Sequence, residues 1–117
     1  MPFRTDLEVE FVDGENWVLT QPLDYMDDKL KKGVVVPAGF ITDFASIPRG
    51  LWNLFPRTGP WGPAAVVHDF MYRYAIFDKA TADLIFLHAM EDLKIGWFTR
   101  RLIYRAVRIF GGGAYKA

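Results

Sequence analysis

The sequence predicts an α+β domain: a small N-terminal antiparallel sheet, a loop rich in proline, glycine and aromatic residues, then three helices. Three observations carry this. Residues 7–36 hold short apolar runs with the period of strands, and residues 64–110 hold helical patterns with caps and stops. Between and overlapping them, Gly39 to Tyr72 contains four of the seven prolines and four of the ten glycines, so most of its first half cannot be regular helix.

Leu7, Val9 and Phe11 alternate with Glu8 and Glu10, the pattern of a half-buried strand. Asp13-Gly14 signals a hairpin turn, and Trp17 to Thr20 returns as a second strand. Gln21 to Lys32 is polar and reads as a loop or a short exposed strand pair. A third strand, Val34 to Val36, begins at Gly33 and ends at Pro37-Ala38-Gly39, which completes a three-stranded antiparallel sheet. Pro63 opens a helix expected over about 64–74, because proline is tolerated in a first turn. Asp78 reads as the N-cap of a second helix, about 79–93, with Leu84, Phe86, Leu87 and Met90 facing the core and Gly96 as its breaker. Thr99 is expected to cap a third helix that runs to Phe110, where Gly111-Gly112-Gly113 stops it.

A chain of 117 residues with 51% hydrophobic and 16% aromatic content is sized for a single domain, 1–117, with one core. Its formal net charge is zero, so nothing at whole-molecule level points to nucleic acid or an anionic membrane. The charge is uneven, however: acidic residues gather before Asp28 and basic ones between Lys94 and Arg108. Cysteine is absent, which excludes disulfides and thiolate metal sites. No apolar run reaches the roughly 18 residues of a membrane span, and residues 1–10 have no signal-peptide apolar region. These features lead to an expectation of a soluble protein kept inside a cell or carried in a particle.

The candidate chemistry gathers at the junction of the loop and the first helix. His68 and Tyr72 are four residues apart on one helical face, and Asp69 can pair with Arg73 on another. Asp83, among apolar neighbours on the second helix, could reach His68 and fix its tautomer, or could act as a staple to Arg49 or Arg73. Losing one buried partner, Asp83→Ala is expected to cost about 1 to 3 kcal/mol. Asp43 and Ser46 in T-D-F-A-S-I-P-R have the spacing of a side-chain-to-backbone turn. As a nucleophile Ser46 would need His68 as base, and the absence of a G-x-S-x-G elbow argues against a serine hydrolase. His88 reads as a surface or core residue rather than a ligand. Two histidines without cysteine make a tight transition-metal site unexpected, whereas Asp43 and Asp69 are the carboxylates available to calcium or magnesium. Arg101, Arg105 and Arg108 form one basic face of the third helix, a solvated face by default and too small to read as a nucleic-acid site. Trp52 and Trp61, set among prolines and glycines, are expected to offer at least one exposed ring for binding, with Arg49, Asp69 and Tyr72 nearby in sequence.

The pattern G-F-I-T-D-F-A-S-I-P-R, then A-A-V-V-H-D-F-M-Y, then A-D, resembles a family of small tailed-phage and prophage proteins of unknown function. The likeness runs from about Gly33 to Phe110. It implies a phage or prophage origin and a virion or tail-associated role, and brings no established reaction. The shorter H-D-x-x-Y stretch resembles the catalytic helix of phospholipases A2. That resemblance implies that His68 activates water, Asp69 binds calcium and Asp83 orients His68. The cysteines that flank the helix in those enzymes are absent here, as is their glycine-rich calcium loop unless Arg57 to Gly62 replaces it.

The expectation is therefore an accessory or structural protein without a cofactor, docking through its aromatic loop on other phage virion proteins and able to form a homo-oligomer. The alternative is a small hydrolase, phospholipase A2-like or peptidase-like, with His68 as general base beside Asp43, Asp69 or Asp83. The alternative requires these groups to line a pocket open to solvent.

Overall fold

The structure, a computed structural model, describes residues 2–14, 16–43 and 60–110, with the backbone alone for Phe110. Ser46, Arg49 and Trp52 lie outside the described residues.

Five strands precede three helices, so the class is α+β. They are β1 (Val9–Asp13), β2 (Asn16–Leu19), β3 (Leu23–Asp27), β4 (Lys32–Val36) and β5 (Ile41–Thr42). They form two antiparallel sheets rather than one, β1-β2-β5 and β3-β4. The first hairpin turns at Gly14, whose φ of +46° lies where glycine is favoured, and sets Phe11 opposite Trp17. The expected third strand pairs elsewhere. β4 pairs with β3, Leu23 opposite Val36 and Tyr25 opposite Val34.

The segment read as a loop or exposed strand pair is thus a strand pair with one buried face. Leu23, Tyr25 and Asp27 point inward while Asp24 and Met26 are half-buried. Its polar letters concealed this, because the strand carries Asp24 on its outer face and Asp27, itself buried, on its inner face. The N-terminus adds to β3: the Arg4 N–H donates to the Asp24 carbonyl, the Met26 N–H donates to the Pro2 carbonyl, and the Phe3 ring packs tilted against Tyr25, 4.5 Å between centroids.

The helices are α1 (Gly62–Arg73), α2 (Lys79–Asp92) and α3 (Trp97–Phe110). Pro63 sits in the first turn of α1, as its missing N–H allows. Asp78 is the N-cap of α2 with extended backbone. α2 ends before Gly96: Lys94 takes the left-handed conformation, φ +64°, and Ile95 N–H donates to the Met90 carbonyl. α3 starts two residues before Thr99, because Arg100 N–H already bonds the Gly96 carbonyl at 3.0 Å. α1 packs on both sheets and on α2, and α2 packs on α1, α3 and β3. This central place explains why α2 is buried on more than one stripe, Ala82, Asp83 and Ala89 included. No helix among the described residues is long and apolar enough to cross a membrane.

Candidate functional site

α1 presents His68 and Tyr72, one turn apart, toward α2, and α2 presents Asp83 back. Asp83 is fully buried and His68 is 1% exposed. Asp83 Oδ1 accepts from His68 Nε2 at 2.8 Å and from the Tyr72 hydroxyl. Oδ2 accepts from Lys79 Nζ at 2.9 Å and from Arg108 Nη1 at 3.0 Å. Lys79 spends its remaining donors on the carbonyls of Val107 and Arg108, at 3.2 and 3.3 Å, in the last turn of α3. One carboxylate therefore joins all three helices. The His68 ring also stacks on Phe86, 4.5 Å between centroids and 22° between planes.

Burial alone would push the Asp83 carboxyl up, but the hydrogen bonds from His68, Tyr72 and Lys79 prevail and hold it well below its ordinary value. An ionised Asp83 can only accept, so His68 carries its proton on Nε2. Burial drives the His68 pKa down against the pull of Asp83, which keeps the ring neutral.

Asp69 points elsewhere, as its place one residue along the helix requires. Its Oδ2 accepts from Thr42 Oγ1 at 2.7 Å and lies 3.5 Å from Arg73 Nη2. Arg73 also donates to the Ile41 carbonyl at 2.6 Å, so this cluster fastens β5 to α1. Burial raises the Asp69 pKa, and the negative charge of Asp43 adds to the rise while Thr42 and Arg73 oppose it. Asp43 is half-buried, and its charge is felt at Asp69. Among the described residues, no group of three or more histidine, aspartate or glutamate side chains is arranged to hold a metal ion.

Trp61, expected as a binding ring, lies in the core at 6% exposure. It immediately precedes α1, and the helix's first turn carries its ring inward among the core residues. Of the two staple partners expected for Asp83, Arg49 lies outside the described residues and Arg73 is engaged by Asp69 and Ile41, while Lys79 and Arg108 fill the role. Lys79 was available to sequence reasoning, four residues before Asp83 on the same helix. Arg108 was assigned to a solvated face, and its reach across to α2 left no local signal.

A second histidine–aspartate pair, with the aspartate buried and the histidine half-buried, escaped the sequence reading. His88 Nδ1 lies 2.7 Å from Asp27 Oδ2, and Asp27 Oδ1 accepts from the backbone N–H groups of Lys29 and Leu30, both at 2.9 Å. The pair fastens the β3-β4 turn to α2.

The open surface feature near the site is a cleft of about 460 Å³ between the Pro37–Phe40 loop and the end of α1. Phe40, Phe70 and Tyr74 line it as a cluster, with Phe40 and Phe70 edge to face at 5.3 Å and Phe70 to Tyr74 at 5.2 Å. Gly39, at φ +92°, bends the loop so that its N–H reaches the Leu19 carbonyl at 2.8 Å.

The profile of the DUF1353 family, proteins of unknown function, matches residues 17–107, which takes in the cleft, the Asp27–His88 pair and the Asp83 network apart from Arg108. The chain belongs to this family. No curated protein and no solved structure gives a match. The DUF1353 match omits β1 and the end of α3 and covers every group that contacts Asp83 except Arg108.

Proposed function

We propose that this DUF1353 protein is a phage-encoded accessory protein that docks on other virion proteins. The observation that carries the reading is the cleft beside α1, with Tyr74 58% exposed at its rim and Phe40 and Phe70 behind it. Aromatic rings held rigid by one another suit a preformed contact surface, since little side-chain freedom is lost on binding. The phage setting rests on the T-D-F-A-S-I-P-R and H-D-x-x-Y resemblance. His68, Tyr72 and Asp83, which a hydrolase would use, are engaged in joining helices, and Asp69 in fastening β5 to α1. The test is co-sedimentation of the purified chain with particles of the phage that encodes it. Binding should be saturable and should weaken on the order of tenfold or more in Tyr74→Ala, whose circular dichroism should match wild type. A chain that stays in the supernatant at every concentration would defeat the proposal.

One observation favours a hydrolase as the second reading. With its Nε2 proton held by Asp83, neutral His68 has its lone pair on Nδ1, the state of a general base, and Tyr72 supports the same carboxylate. The burial of His68 weighs against it. Calcium-dependent hydrolysis of phosphatidylcholine vesicles that falls about 100-fold in His68→Gln would support this reading. Equal rates for the two proteins would end it.

A further inference from the structure

We propose that copies of this chain associate head to tail, the acidic edge strand β1 of one copy seated on the basic, aromatic face of α3 of the next. The inference does not depend on the docking role above, because it uses neither the cleft nor the Asp83 network.

Residues 1–28 contain eight acidic residues against one basic, and α3 contains four arginines and no acid. Much of this charge is unmatched within the described part of the chain. Asp6, Glu8 and Glu10 are exposed and have no cationic partner among the described residues. On the other side Lys94 and Arg105 have no carboxylate partner there, and Arg101 has only the Trp97 ring, 5.7 Å from its guanidinium carbon. Exposed acids without a cationic partner on one patch thus stand against exposed cations without a carboxylate partner on the other.

Each charged patch also carries large apolar groups in water. β1 is an edge of its sheet and exposes Phe11 (55%) and Val12 (47%). The outward face of α3 exposes Trp97 (61%), Phe98 (71%) and Ile109 (71%) around Arg101 and Arg105. Tryptophan, phenylalanine and arginine together are the composition of protein contact surfaces. Three unpaired cations are few for a nucleic-acid track, and Ile109 offers nothing for a base to stack on. An acidic, apolar protein surface satisfies both the charge and the rings, and β1 is such a surface on this same chain. β1 packs on β2 while α3 packs on α2, so the two patches belong to different parts of the fold. A contact between unlike patches is heterologous and continues from copy to copy, closing into a ring or extending as a filament.

The test is sedimentation velocity of the full chain over a concentration series, in about 20 mM and about 500 mM salt, which differ several-fold in screening length. Wild type should self-associate at low salt and weaken on the order of tenfold or more at high salt. The pair Arg101→Glu with Arg105→Glu, and the pair Glu8→Arg with Glu10→Arg, should each be monomeric, because each gives one chain two patches of like sign. An equimolar mixture of these two proteins should associate again, since each then offers the sign the other lacks. Circular dichroism checks that both fold, and all four positions are exposed. Monomeric wild type at low salt overturns the proposal, as does a mixture that fails to recover association. Arginine-dependent binding of a monomeric wild type to phosphatidylserine vesicles would overturn it in favour of an anionic membrane surface.

Discussion

Asp83 and Asp27 are both buried carboxylates that meet a histidine of the helical half, yet they are satisfied in opposite ways. Asp27 is held mostly by backbone: two N–H groups of its own turn, with His88 as the one long-range partner. Asp83 takes side chains alone, from α1, α2 and α3. A backbone-satisfied carboxylate shapes its own turn and needs little from the rest of the fold. One satisfied by four side chains exists only when three helices are assembled, so it couples their packing. The two therefore differ in how far the effect of their loss should spread.

The largest effect is expected for Asp83→Ala. Lys79 and Arg108, both partly exposed, can turn to solvent, whereas the His68 Nε2–H and the Tyr72 hydroxyl lose their carboxylate acceptor inside a sealed site. Two buried donors deprived of this acceptor, each worth about 1 to 3 kcal/mol, give a loss of about 3 to 5 kcal/mol in urea unfolding. This exceeds the value expected from sequence, where a single partner was counted. A loss below about 1 kcal/mol would show that the helices pack without the carboxylate and would erase the contrast with Asp27.

Asp27→Ala should cost less, about 2 kcal/mol, because the freed N–H groups of Lys29 and Leu30 lie in an exposed turn that water can reach. Amide exchange should also separate the two variants, with protection lost across all three helices for Asp83→Ala and mainly in the β3-β4 turn for Asp27→Ala. Equal loss of protection in both would break the distinction.

The same contrast explains what was legible in the sequence. Helical spacing put His68 and Tyr72 on one face, because one turn of helix is a local rule that survives folding, while the reach of Asp83 to His68 was one of two alternatives left open. The three helices were visible for the same reason, through Pro63, the Asp78 cap and the glycines after α3. Contacts that depend on how elements stack had no such rule. Arg108 reaches Asp83 from 25 residues away and Asp27 meets His88 from 61 away, and in each case the local pattern pointed to solvent. β3 was obscured because the two acids and the tyrosine of L-D-Y-M-D look like an exposed segment until Tyr25 donates to Asp92 on α2, at 2.7 Å. Phage origin and docking rest on resemblance and on surface features, and Ser46, Arg49 and Trp52 lie outside the described residues.

The smallest expected effect is a slope. His68 is neutral and its pKa is lowered in the folded protein, chiefly by burial. Below the unfolded histidine pKa of about 6.5 the unfolded chain takes up a proton that the native ring refuses, so stability falls as pH falls. Asp83 has the same sign at lower pH: its folded pKa is depressed, so its contribution is present above the ordinary carboxylate pKa and lost in stronger acid. Between pH 6.5 and 5.5 the His68 contribution should approach about 1 kcal/mol, since one pH unit of linked proton uptake is at most 1.36 kcal/mol. In His68→Gln an amide can donate to Asp83 in place of Nε2–H but cannot titrate, so the slope of stability against pH in this window should flatten by that amount. His88 is present in both proteins and cancels in the difference. Identical slopes for wild type and His68→Gln would mean that His68 takes up its proton in the folded state as readily as in the unfolded one, and would remove it from a closed network.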